Sequence, residues 1–303
     1  MALWIPVTIA AAFLQNLRFM LQKHLKATRL STAGATFARF AYGAPMAALL
    51  VAALIWARGD SLPQTGARFW IMAMTGGTAQ ILATMCVVAL FAARNFTVGI
   101  TLKKTETVQT ALVGFVVLGE TVGPGAWLAI ALGFVGVVLL SDPPARRPGV
   151  PLWRRVFNRA AGLGLASGAL FGVSAIGYRG ASLSLSDGDA LLRAAVTLAC
   201  VSAAQAVAMA LWLLWREPGE VARVFRHWRV TSAVGALSIA GSLGWFTAFT
   251  LENAAHVKAL GQIELVFTAL ASWLVFRERS TGREVAGIAL VVLSVLVLVL
   301  VEG

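Results

Sequence analysis

Two carboxylates and five cations lie where a chain this apolar has least reason to put them. Glu106 and Glu264 sit inside apolar stretches, and Arg39, Lys103, Lys104, Arg193 and Lys258 lie within or near the ends of others. A charge at the centre of an apolar helix costs about 2.5–3.5 kcal/mol on insertion scales, so such residues face a cavity or a partner. The chemistry open to them is binding and proton exchange. Ammonium and guanidinium groups hold an anionic group, while a carboxylate takes a proton or holds an amine. Gln262 flanks Glu264, and Gln15, Tyr178 and Trp245 add polar or aromatic contacts from other apolar stretches. The expected substrate pathway is therefore Gln15, Arg39, Lys103, Glu106, Tyr178, Arg193, Trp245, Lys258, Gln262 and Glu264.

Spacing says how helices would present these groups. Gly99, Lys103, Glu106 and Thr110 follow the three-and-four rhythm of one helix face, with Lys104 about 100° away. Gly261, Glu264, Thr268 and Ser272 form a similar stripe, flanked by Lys258 and Gln262. If the two helices meet, both carboxylates line a common path. The residues alone leave alternatives open. Lys103 is roughly 9 Å inside its span, so it or Lys104 can snorkel to the interface. Lys258 can be a surface anchor, and Glu106 can form a purely structural pair with Lys103 or Arg39. Glu120 and Glu278 read as braces of a turn. The stripes Ser167, Phe171, Ser174, Tyr178 and Ser238, Gly241, Ser242, Trp245 fit helix packing or an interfacial aromatic belt as well as substrate contact.

The acidic residues also reveal a duplication. Glu106 and Glu264 are separated by the same 158 positions as Glu120 and Glu278. At that offset Asn95 meets Asn253, Leu102 meets Leu260, and Thr110-Ala111-Leu112 meets Thr268-Ala269-Leu270.

The elements that position these groups belong in a bilayer. With 59% hydrophobic and 13% charged residues over 303 positions, and a mean hydropathy of +0.81, there is too little polar surface for a soluble domain. A spanning helix needs about 20 apolar residues. Ten segments qualify, near 3–22, 34–57, 68–92, 97–118, 123–141, 160–182, 189–215, 229–251, 257–276 and 281–301. The stretch 142–159, rich in Arg and Pro, is the joint, giving five helices in 1–141 and five in 160–303. The expected fold is an all-α membrane protein. An odd number of crossings per copy makes the second copy inverted, an arrangement typical of secondary transporters.

Charge sets the orientation. The first, third, fifth, seventh and ninth loops carry Lys23, Lys26, Arg29, Arg94, the Arg residues of 146–159 and 216–229, and Arg277, Arg279 and Arg283. The even loops hold Arg58 and Arg68, with Arg179 at a helix end. Odd loops are then cytoplasmic and both termini outside a bacterial-type inner membrane. The net charge of +12 follows from this division among short loops. It suits contact with anionic lipid headgroups and gives no concentrated surface for nucleic acid.

Enzymatic chemistry lacks its parts. His24, His227 and His256 stand apart, and neither a zinc-binding His pair nor a nucleophile elbow nor a phosphate-cradling loop occurs. Cys86 and Cys200 suggest neither a disulfide nor a metal site, and no cofactor is expected. The first span has no charged region before it and reads as a retained helix. Nothing demands more than a monomer.

The run Lys104-Thr-Glu106-Thr-Val108 through Leu118-Gly-Glu120, its counterpart Gln262-Ile-Glu264-Leu-Val266 through Phe276-Arg-Glu278, and an Arg early in the second helix of each half (Arg39, Arg193) resemble the drug/metabolite transporter superfamily, EamA-type. The resemblance covers nearly the whole chain. It implies export of a small organic solute by alternating access, with a proton or counter-substrate as the coupling partner. The surplus of cations favours a substrate with an anionic group, amino acids or related metabolites first. A multidrug or amphiphile exporter comes second, and a phosphorylated-metabolite or lipid carrier or a membrane enzyme more remotely. One departure stands out: the family commonly has proline directly after the mid-helix Glu, where this chain has Thr107 and Leu265.

Overall fold

The computed structural model describes residues 2–28, 30–91, 102–140, 159–267 and 282–302. Eleven α-helices are described: α1 (Trp4–Thr28), α2 (Thr32–Arg58), α3 (Ala67–Phe91), α4 (Glu106–Leu118), α5 (Pro124–Leu140), α6 (Arg159–Leu183), α7 (Ala190–Arg216), α8 (Glu220–Arg226), α9 (Trp228–Leu251), α10 (Ala254–Leu260) and α11 (Gly282–Glu302). A 3-10 turn, Gly261–Ile263, follows α10 directly. There is no strand among the described residues.

Five of these helices are long and apolar enough to cross a membrane: Ala33–Arg58, Ala67–Val87, Arg159–Leu183, Ala190–Arg216 and Trp228–Leu251. Shorter apolar helices cover Glu106–Leu118, Pro124–Leu139 and Val285–Val301. Their outer surfaces are apolar too, with Leu112, Phe115, Val116, Leu211, Leu214 and Leu300 exposed. An apolar exterior of this kind is suited to hydrocarbon rather than water. The helix ends are defined locally. Ser31, Asp189 and Asn253 precede α2, α7 and α10 and accept hydrogen bonds from Gly34 N (2.9 Å), Leu192 N (2.8 Å) and Ala255 N (2.8 Å). Gly59 and Gly119, with φ of 70° and 71°, close α2 and α4 in the left-handed region. At the second of these turns Glu120 N donates to Gly114 O at 3.3 Å. Glu278, the counterpart of Glu120, lies outside the described residues.

The chain forms two compact units that cut across its sequence halves. One comprises Met1–Ile5, Ala79–Ile176 and Asn253–Gly303, the other Pro6–Thr78 and Gly177–Glu252. In the first unit α5 packs along α11 through small residues. A Cβ at Gly136 would meet Gly287 O at 2.8 Å, and Ser294 Oγ donates to Ala129 O at 2.7 Å. With lipid outside, this closeness of backbones supplies the attraction that water would otherwise drive. In the second unit α2, α7 and α9 pack around Phe69, Tyr178, Leu192, Val201 and Phe246.

The short helix α8 falls where the sequence reading expected only an Arg-rich loop. Its first residue, Glu220, is fully buried and accepts a 2.6 Å hydrogen bond from Ser31 N, the residue capping α2. Gly34 makes room for that carboxylate, since a Cβ there would lie 2.2 Å from Glu220 Oε1.

Candidate functional site

The fourth and ninth expected spans are broken where the sequence puts its carboxylates. After Leu102 and Lys103 the helix gives way to a turn at Lys104 and Thr105, and α4 starts at Glu106. In the other half, α10 ends at Leu260, the 3-10 turn covers Gly261–Ile263, and helical geometry resumes at Glu264. Each Glu is therefore the first residue after a break, at equivalent positions of the duplication. This corrects the expectation of two continuous helical stripes; Gly99, Thr268 and Ser272, also assigned to them, lie outside the described residues. Broken helices at membrane depth are tolerated where the freed backbone is buried in protein or lines a cavity. Here Thr105 Oγ1 donates to Leu102 O at 2.6 Å and accepts from Gln109 Nε2 at 3.1 Å, so side chains replace part of the lost ladder.

Both breaks belong to the first unit, and their charges pair across the two sequence halves. Glu106 Oε1 is bonded to Lys258 Nζ, and Glu106 Oε2 lies 3.5 Å from Lys103 Nζ. Glu264 Oε1 is bonded to Lys104 Nζ at 2.5 Å. A further cross-half bond runs from Gln262 Nε2 to Thr107 Oγ1 at 3.1 Å. The lysine side chains are only 20%, 11% and 20% exposed for Lys103, Lys104 and Lys258, and all three lie against carboxylates. Phe171 of α6 lies beneath two of them, with Lys103 Nζ 4.9 Å and Lys258 Nζ 5.9 Å from its ring centroid. Beside the breaks a small cleft of about 10 Å³, room for about one water, is lined by Lys104, Thr107, Val137, Ala259, Gln262 and Ser294. Gln262 Oε1 is buried without a hydrogen-bond partner among the described residues.

The remaining expected residues belong to the second unit. Arg39 donates to Ser242 Oγ at 3.1 Å and lies 5.1 Å from the Phe40 ring centroid. Tyr178 stacks on Phe246 at 4.3 Å, and its hydroxyl lies 3.5 Å from Gln205 Nε2. Trp245 stacks on Phe249 at 5.9 Å, and the Gln15 backbone lies close to Gly241. Arg193 is in the first turn of α7, near the Asp189 carboxylate, rather than deep in its span.

Sequence reasoning passed over Phe171 and Gln205 as site residues. Phe171 stood on a stripe that fitted packing equally well. Gln205, a lone amide in an apolar span, is 3% exposed and donates to Gly77 O at 3.1 Å.

A profile of the EamA-like transporter family matches residues 2–142 and again 158–300. The chain belongs to the EamA-like transporter family. A riboflavin transporter of Vibrio cholerae is 25% identical over 197 residues, which is 65% of this chain and 60% of that protein. A protein of known crystal structure shares the fold, with a TM-score of 0.75 at 15% identity, covering 99% of this chain and 97% of the other. This EamA-like chain is thus a multi-pass membrane protein that the family profile matches twice, once in each half, and it spans 60% of the length of the Vibrio cholerae relative.

Proposed function

We propose that this EamA-like protein is a secondary transporter of small organic solutes bearing an anionic group, amino acids or related metabolites foremost. It exports them across a bacterial-type inner membrane, with odd loops cytoplasmic and termini outside. Ten spans form two inverted five-helix halves that rock about a midplane site.

The observation that carries this reading is the cluster at the two breaks, where three ammonium groups face two carboxylates and each Glu bonds a Lys from the other half. An anionic group entering the cluster competes with Glu106 or Glu264 for those lysines. The displaced carboxylate is then available to a proton or a substrate amine, which couples cargo to a gradient.

A second reading takes its lead from the Vibrio cholerae relative, whose name gives riboflavin as cargo. The stacked Trp245–Phe249 pair suits a planar ring system. A neutral flavin has less use for a surplus cation, so the anionic reading ranks first. A multidrug exporter stays behind both.

The test is counterflow in proteoliposomes with labelled L-aspartate, L-leucine, succinate, riboflavin and a cationic dye, alongside the Glu106→Gln/Glu264→Gln protein. Exchange of carboxylate-bearing labels, lost in the double variant, is expected. Movement of riboflavin or of dye alone would replace the anionic reading with the corresponding alternative.

A further inference from the structure

The three lysines of the cluster are not equally held. Lys258 and Lys104 each make a direct ionic bond, whereas Lys103 stands 3.5 Å from Glu106, beyond the roughly 2.7–2.9 Å of a close charge-assisted hydrogen bond. Among the described residues Lys103 is the surplus cation of the cluster, and it is also the ammonium nearest the Phe171 ring.

The ring's place is fixed by backbone. Phe171 lies between Gly168 and Gly172, and both press α6 onto the broken segment. A Cβ at Gly168 would lie 3.0 Å from Lys103 O and 2.7 Å from Gln109 Oε1; one at Gly172 would lie 3.2 Å from Thr110 Cα. The aromatic face is thereby set against Lys103 and Lys258. Its quadrupole attracts a cation without neutralising it and without occupying an N–H donor. A third carboxylate at that position would cancel the charge the site needs. Lys103 has three donors, and the ring leaves them to Glu106 and to an incoming oxyanion.

We propose that Phe171 is a positioning residue that holds Lys103 in place as the oxyanion-binding subsite of the cluster, for a carboxylate or phosphate oxygen of the substrate. The inference rests on the anionic-solute reading above. Phe171 acts through the lysine and does not itself bind the anion.

The experiment replaces Phe171 in the full-length protein with mono-, di- and trifluorinated phenylalanine, and separately with Tyr and Leu. Fluorination drains the ring face while keeping its shape. The first readout is acetylation of Lys103 by acetic anhydride, which attacks only the uncharged amine, followed by mass spectrometry with Lys104 as internal reference. The second is the counterflow KM for labelled L-aspartate and glycerol 3-phosphate. Lys103 labelling is expected to climb with each fluorine to between about threefold and thirtyfold in total, with Phe171→Leu at the top and Phe171→Tyr near the native rate. Lys104 should stay within about twofold of its native rate, since no ring among the described residues lies against it.

KM should rise in the same order at unchanged maximal rate, for the aspartate if the cargo is a carboxylate and for glycerol 3-phosphate if it is a phosphate. Identical labelling across the fluorinated series, or an equal rise at Lys104, would show that Phe171 only fills space. If the native protein moves neither anion while the labelling gradient persists, the transport reading and the subsite fail, but the hold of Phe171 on Lys103 stands.

Discussion

Lys104 of the first sequence half is bonded to Glu264 of the second at 2.5 Å, and the converse pair, Lys258 to Glu106, completes an exchange of charges between the halves. Side-chain exposure at the Lys104–Glu264 pair is 11% and 22%, so neither ion is fully solvated. Removing one partner leaves the other charge uncompensated in a low-dielectric setting. Lys104→Ala or Glu264→Ala is expected to cost on the order of 3 kcal/mol, read from thermal unfolding of detergent-purified protein. The reversed pair Lys104→Glu/Glu264→Lys should recover most of it. Additive losses in that double variant would mean the two residues do not depend on one another.

The start of α4 puts Thr107 where the backbone would tolerate a proline. Thr107 is the second residue of α4, within the first turn, where a backbone N–H lacks an intrahelical acceptor and a proline ring is tolerated. Thr107→Pro should therefore cost little more than Thr107→Ala. Both lose the hydrogen bond from Gln262, worth about 1 kcal/mol. Val113→Pro, in the interior of the same helix, should cost about 3 kcal/mol or more. Equal losses from the two prolines, measured by unfolding, would place the start of α4 elsewhere.

Outside the spans, Asp189 gives a pH-dependent contribution of known sign. Its carboxylate accepts from Leu192 N at 2.8 Å and from Arg58 Nη1 at 2.8 Å, and these bonds, the backbone one foremost, hold its carboxyl below the usual range. Because the folded-state pKa is depressed, the stabilisation is complete above the unfolded value near 3.9 and disappears as pH falls through the lower folded one. Unfolding temperatures of the native protein and Asp189→Asn should differ by a constant amount from pH 7 to about 5 and converge below about pH 4. A gap that persists to the lowest pH would assign the effect to geometry alone. Asp189→Ala should be worse than Asp189→Asn by about 1 kcal/mol, since Asn still caps a helix.

Gly136 reports on the contact between α5 and α11. Its Cβ would meet backbone, Gly287 O at 2.8 Å and Val291 N at 3.0 Å, which cannot swing aside as a side chain does. Gly136→Ala is expected to destabilise by about 1–3 kcal/mol. Gly162→Ala, with nothing within 4 Å, should be neutral or slightly stabilising. Comparable melting shifts for the two would contradict the packing.

Glu106, Glu264 and the duplication were legible in the sequence because a carboxylate in an apolar run has few innocent explanations. The arrangement of the lysines was not. Periodicity assumes an unbroken helix, and on that assumption Lys104 points away from the face of Glu106. The turn at Lys104 and Thr105 interrupts that periodicity, and no glycine or proline at those two positions announces it. Lys258 looked like an end anchor for the same reason, since α10 stops after seven residues instead of running through. Phe171 was hidden by its chemistry, as an aromatic ring in a membrane helix commonly fills space. Helix α8 was hidden by length: Glu220–Arg226 is too short for an apolar period to show, and the contact that fixes it reaches 189 residues back to Ser31.

The crossing of pairs between the halves also imposes a timetable on synthesis. Glu106 leaves the ribosome 152 residues ahead of Lys258, an interval of about 8 to 30 s at ordinary elongation rates. Through that interval the nascent first half holds Glu106 beside Lys103 but without Lys258, and Lys104 without Glu264. The unit that contains the cluster closes only with the arrival of residues 253 onward. A chain cut short before that point keeps Lys104 and Glu106 without those partners, at the cost an uncompensated charge carries in hydrocarbon.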